Sequence, residues 1–153
     1  MPAKAFRSRY IIAILFAGLL LAPGCKKAKE EITQDILQQY FETNILNRDF
    51  IVKLATDNGS DITTQYTGYT FRLLKNTNYD GPMTGIKGGT TITGTWTCNE
   101  DFSKLTITLT QPSTPAEFVF LNRAWRFTKK AVPVMELAPW GGTPTYVLHM
   151  ERQ

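Results

Sequence analysis

The chain has 153 residues, 17 Lys and Arg against 13 Asp and Glu, one His and two Cys. Three of the basic residues, Lys4, Arg7 and Arg9, stand ahead of an apolar run; with them set aside, 14 basic residues face 13 acidic ones, a net charge of +1. That balance excludes the clustered basic face that nucleic-acid binding needs, and a single His without a Cys cluster supplies neither a metal-ligand set nor a nucleophile and base pair.

The positive segment is followed by 13 predominantly apolar residues, 10–22. A helix of that length rises roughly 20 Å, short of a hydrocarbon core of ~30 Å, so the run reads as an export signal and not as a permanent span. It ends in Leu-Leu-Leu-Ala-Pro-Gly-Cys, with Gly24 and Cys25 last. This ending resembles the lipobox of bacterial lipoproteins. The resemblance implies that residues 1–24 are removed, that Cys25 carries the lipid and that the membrane is reached through it. Lys26 replaces the aspartate that holds enterobacterial lipoproteins at the inner membrane, so the implied address is the outer membrane, on either its periplasmic or its outer face. Residues 25–31 are expected to form a charged tether, either solvated or touching anionic headgroups at about 1 kcal/mol per charge. A lipidated Cys25 leaves Cys98 without a disulfide partner, and residues 32–153 are long enough to fold as one domain without one.

Between Glu30 and Asn47 the apolar residues Ile32, Ile36, Leu37, Tyr40, Phe41, Ile45 and Leu46 recur at helical spacing. Glu30 and Glu31 suit the N-terminus of that helix and Asn44 and Asn47 its end. The period then changes to two. A strand over 49–56 closes on Asp57-Asn58-Gly59, a tight-turn sequence. Residues 65–74 put Tyr69, Phe71 and Leu73 on one face, and a weaker run covers 83–87. Gly88-Gly89 predicts a hairpin into 90–98, where Ile92, Trp96 and Cys98 oppose Thr91, Thr93, Thr95 and Thr97. Leu105, Ile107 and Leu109 repeat the pattern against Thr106, Thr108 and Thr110. Trp125 with Phe127, Met135 with Leu137, and Tyr146 with Leu148 and Met150 complete about eight strands with one wet face each, which is a small antiparallel barrel or sandwich preceded by one amphipathic helix.

The order of the helix, Asp57-Asn58-Gly59 with Asp61, Tyr69 and Phe71, Gly94-x-Trp96, Leu121-Asn122 and Trp125 resembles the lipocalin-like lipoproteins of Bacteroidetes, over about residues 35–150. The resemblance implies a mainly β, up-and-down barrel of the kind that in true lipocalins holds an apolar small molecule. In true lipocalins the Gly-x-Trp signature opens the first strand, whereas Gly94-Thr95-Trp96 lies mid-chain, so the resemblance carries a fold and an address and transfers no binding site.

Tyr69, Phe71, Trp96, Trp125, Phe127 and Tyr146 are the residues expected to line a ligand, or else to fill the barrel, since eight strands enclose room for side chains or one small molecule. The two readings are a binder of a small apolar ligand and a structural or protein-interacting envelope protein with a filled barrel. Neither is catalytic and neither uses a cofactor or metal. His149 is expected on the wet face of the last strand. Asp57, Asn58, Asp61 and Thr63 are oxygen donors suited to calcium or, more simply, to their own turn. Trp140, in Ala-Pro-Trp-Gly-Gly, either plugs the barrel end or faces a partner or a sugar.

Overall fold

The structure, a computed structural model, describes residues 24–142 and 145–153, with side chains from Thr33 onward. The expected export signal lies almost wholly outside the described residues. The chain divides into residues 1–33 and 34–153. Among the described residues no helix is long and apolar enough to cross a membrane.

Helix α1 spans Gly24–Asn44. It begins before Glu30, so Glu30 and Glu31 stand inside it, and the backbone of residues 25–31, expected as a tether, is helical. Of the apolar stripe, Phe41, Ile45 and Leu46 are buried and Leu37 packs against them, while Ile36 is 60% exposed. The stripe is narrower than its sequence spacing suggests because, among the described side chains, Leu37, Phe41 and the residues after the helix meet the domain core while Ile36 does not.

Nine strands follow: β1 Asp49–Asp57, β2 Ser60–Asp61, β3 Thr70–Leu73, β4 Asp80–Lys87, β5 Thr90–Cys98, β6 Lys104–Gln111, β7 Ala124–Lys129, β8 Val134–Pro139 and β9 Tyr146–Arg152. All pairings are antiparallel, each long strand pairs with the next one along the chain, and β9 returns to pair with β1 over seven registered positions. The two-residue β2 is an appendage of β1, so eight strands close the barrel. Closure removes the unpaired edges that an open sheet would present.

Turn chemistry sets the register. Asn58-Gly59 and Gly88-Gly89 have φ of 47°, 84°, 57° and 83°, the left-handed pairs of a two-residue hairpin turn whose twist matches the strands. Within β1 a bulge between Val52 and Leu54 shifts the alternation, so Phe50, Val52 and Ala55 face inward and Leu54 does not. Residues 65–68, expected as strand, instead carry a 3-10 turn, Thr63–Tyr66, that lies against β1. One element has no counterpart in the periodicity: a single helical turn, α2, Phe118–Leu121, with Phe118, Phe120 and Leu121 buried.

Candidate functional site

Strand direction sorts the loops into two ends. The end of α1 and the 99–103 loop lie at one end, and the 57–60 hairpin, the 3-10 turn and α2 at the other. The aromatic residues form two clusters accordingly. At the first end the Phe41 ring stands 5.8 Å from Trp96, 4.8 Å from Phe102 and 6.1 Å from Phe127. At the second, Phe118 stands 5.0 Å from Tyr69 and 5.7 Å from Phe71, and Phe120 lies 5.3 Å from Trp125 and 5.9 Å from Tyr146. Such separations are ring contacts, with no room for a guest between the paired rings.

The six expected lining residues therefore all reach the interior side, but as two groups. Phe71, Trp96 and Trp125 are fully buried, Tyr69 is buried, and Phe127 and Tyr146 are partly so. The residues that complete the clusters, Phe102, Phe118 and Phe120, come from segments outside the periodic strands. Their mark in the sequence is aromatic apolarity in connecting segments, 99–103 and 112–123, that otherwise carry many turn-forming and polar residues.

Three polar tips inside the clusters are satisfied by backbone and one, on Tyr69, by a carboxylate. Trp125 Nε1 donates to the Leu121 carbonyl at 2.9 Å, and Trp96 Nε1 donates to the Leu74 carbonyl at 2.8 Å. Tyr66 Oη donates to the Glu117 carbonyl at 2.7 Å and Tyr69 Oη to the Glu117 carboxylate at 2.9 Å. Burial, reinforced by the Glu117 charge, pushes the Tyr66 hydroxyl well above the ordinary tyrosine range; burial and the Glu117 bond raise Tyr69 also. Both stay protonated donors that pin the start of α2. Asn122 then does what a strand would do: its amide accepts the Leu109 N–H at 2.7 Å and donates to the Leu109 carbonyl at 2.9 Å. Arg123 stands over Tyr146 at 4.3 Å, Phe120 at 5.1 Å and Trp125 at 5.5 Å, closing this end of the barrel with a cation on aromatic faces.

A groove of about 450 Å³ opens on the outer side of β4 and β5, lined by Lys75, Asn76, Asp80, Pro82, Thr95 and Thr97 among others. Its wall depends on Gly81, where a Cβ would lie 2.0 Å from the Leu74 carbonyl oxygen. Only glycine lets the 74–80 loop pack this close.

The remaining candidates fall apart chemically. Asp57 accepts from the Asn58 amide at 2.8 Å and Asp61 from the Thr63 N–H at 2.8 Å, so both carboxylates serve their turns; the Thr63 bonds hold the Asp61 carboxyl below its ordinary value. Among the described residues no group of three or more His, Cys, Asp or Glu converges. His149 is half-buried, opposite Leu54 and Glu136. Cys98 packs against the core, and burial pushes its thiol up to about 12. Trp140 does not plug the barrel; it is 42% exposed. The Cys25 side chain lies outside the described ones.

No protein-family model and no curated protein matches the chain. Among solved structures, the chain is similar to a DUF4847 family protein from Bacteroides vulgatus, at 18% identity and a TM-score of 0.53, covering 72% of this chain and 95% of that one. It is also similar to a protein from Burkholderia xenovorans, at 13% identity and a TM-score of 0.45, covering 76% and 88%. The first likeness places the chain among small β-barrels of this shape; at that identity it speaks of fold alone.

Proposed function

We propose that this chain is a non-catalytic lipoprotein of the cell envelope, held to the outer membrane through lipid on Cys25, whose lipocalin-like barrel works through its outside and not through an internal ligand. The observation that carries this reading is the seating of Phe41, Phe118 and Phe120 against Trp96, Tyr69, Phe71 and Trp125. The residues that a lipocalin would turn toward a guest are turned toward the protein's own rings. The address rests on Lys4, Arg7 and Arg9, the apolar run and Gly24-Cys25. The absence of catalysis is supported by the causes of the shifted groups. Asp61 and Asp101 cap turns, Asp49 pairs with Arg72, Cys98 is buried, and Tyr66 and Tyr69 are buried together at Glu117, each for a local structural reason.

Metabolic labelling with palmitate tests the address: the wild-type chain takes up label in the envelope fraction, and Cys25→Ser does not. Native mass spectrometry of protein from its own host tests the interior. The protein should fly at the mass of its own polypeptide and lipid; an additional apolar molecule held in stoichiometric amount would restore the binder reading.

A further inference from the structure

Four strands and the residue that follows a fifth place outward residues in one register line across the barrel. Asp80 on β4 lies opposite Thr97 on β5, Thr97 opposite Thr106 on β6, and Thr106 opposite Ala124 on β7. The Ala124 carbonyl then accepts the N–H of Trp140, just past β8, at 3.0 Å. At ~4.8 Å per strand the line runs about 19 Å over the surface. One end of it is the groove of about 450 Å³, which Asp80 and Thr97 help to line. The other end is the exposed Trp140 indole, with Lys104 Nζ 5.4 Å from the ring centre.

Beside Trp140 two cations face each other: Lys104 and Arg126 are directly opposite in the β6–β7 ladder. Among the described residues neither side chain has a carboxylate partner, although Lys53, Arg72, Lys75 and Lys129 all do. Like charges opposite each other destabilise a sheet. Neither cation of this pair is neutralised by a carboxylate of the fold among the described residues. The groove wall and the strand beside it are hydroxyl: Thr95 and Thr97, which line the groove, face Thr108 and Thr106, and none of the four has a side-chain hydrogen bond among the described residues. Ala124 keeps the floor low where the line passes from Thr106 to Trp140.

We propose that the outer face of β4 to β8 binds an acidic glycan. One pyranose ring stacks on Trp140 and its carboxylate or phosphate bridges Lys104 and Arg126. Further sugars lie along Thr106 and Thr97 toward the groove, exchanging hydroxyl bonds with threonines that barrel strands hold in place before the ligand arrives. The proposal rests on the reading that this protein acts through its exterior.

The test is a titration of the full chain in mild detergent, followed by amide NMR and indole emission. The probes are a galacturonate hexamer, a phosphorylated mannose oligosaccharide, an uncharged glucose hexamer and inorganic polyphosphate. At least one acidic oligosaccharide should move the Thr97 and Thr106 amides and the Trp140 indole, and which one does so separates a carboxylate source from a phosphate source. Added salt should weaken that binding. The glucose hexamer and polyphosphate should bind at least about tenfold more weakly, and Trp140→Ala and Arg126→Gln should each cost about tenfold without lowering the melting temperature, Arg126→Gln in addition relieving the like-charge pair. No shift with either acidic oligosaccharide, equal binding of polyphosphate or of the uncharged hexamer, or indifference to Trp140→Ala would overturn the proposal. An apolar fluorophore added to the same sample separates the two levels. Its entry into the barrel defeats the filled-interior reading whatever the glycans do, whereas failed glycan arms with the fluorophore excluded defeat the glycan site alone.

Discussion

Removing the Phe118 ring probes whether α2 belongs to the core. The ring is fully buried, 5.0 Å from Tyr69 and 5.7 Å from Phe71. Truncating a buried Phe to Ala costs about 3–5 kcal/mol, a large part of the ~5–15 kcal/mol that holds a domain together. Gly85 on β4 supplies the cross-check, because a Cβ there would lie 3.0 Å from the Phe71 ring and 3.1 Å from Phe118. Gly85→Ala alone should lose about 1–3 kcal/mol to crowding, offset by the roughly 0.5–1 kcal/mol gained when a strand glycine becomes alanine. In the Phe118→Ala background the contacts with residue 118 are gone, the Phe71 ring has a void to shift into, and the methyl fills part of that void. The double variant should therefore be about 1–2 kcal/mol more stable than the sum of the singles. Urea unfolding of the four proteins measures all corners of the cycle. A loss below about 1 kcal/mol for Phe118→Ala, or additivity within ~0.5 kcal/mol, refutes the view that α2 is core and makes it a lid.

Three other outcomes follow from the same contacts. Asn122→Leu strips both backbone groups of Leu109 of their partner, so it should cost about 2–4 kcal/mol in urea unfolding, more than its change in polarity suggests. Cys98, with its thiol pushed up to about 12, should react with a disulfide reagent near pH 8 far more slowly in the native protein than in denaturant. The Asp49, Asp61 and Asp101 carboxyls are held low by hydrogen bonds, so their stabilisation is present above the ordinary carboxylate pKa and is lost as pH falls through the lowered values. The urea midpoint should drop from pH 5 to pH 2, and Asp61→Asn should narrow that drop.

The strands were legible in the sequence because a wet and a dry face alternate along each, and because Asn58-Gly59 and Gly88-Gly89 admit only a tight hairpin. The span of β5 and the burial of Ile92 and Trp96 follow from those two facts alone. What escaped was the part that decides between a hollow and a filled barrel. Phe118 and Phe120 are two apart, a strand spacing, yet they sit in one helical turn, and four residues are too few for a 3.6-residue period to declare itself. Phe102 was hidden for another reason. It takes φ of 52° in a loop, a conformation costly for a bulky side chain, and the position is held by its 4.8 Å contact with Phe41. For Trp140 the sequence left a plug and an outward-facing residue open, and the bond from its N–H to the Ala124 carbonyl holds it on the outside.

These departures share a physical origin that bears on function. A barrel of eight strands has an inner volume close to what its own inward side chains require, so the balance between cavity and core is set by what the ends insert. Here α1 brings Phe41 to one end and α2 brings Phe118 and Phe120 to the other, each from a segment whose local pattern is too short to read. On the proposed reading, with these rings in the interior and the edges closed, recognition falls to the outer faces. There the charges that find partners within the fold, such as Lys53 with Glu151, are spent on the barrel itself. Lys104 and Arg126 are the pair that the β6–β7 ladder sets side by side without one, and this sets the stretch from Trp140 to the groove apart from the rest of the wall.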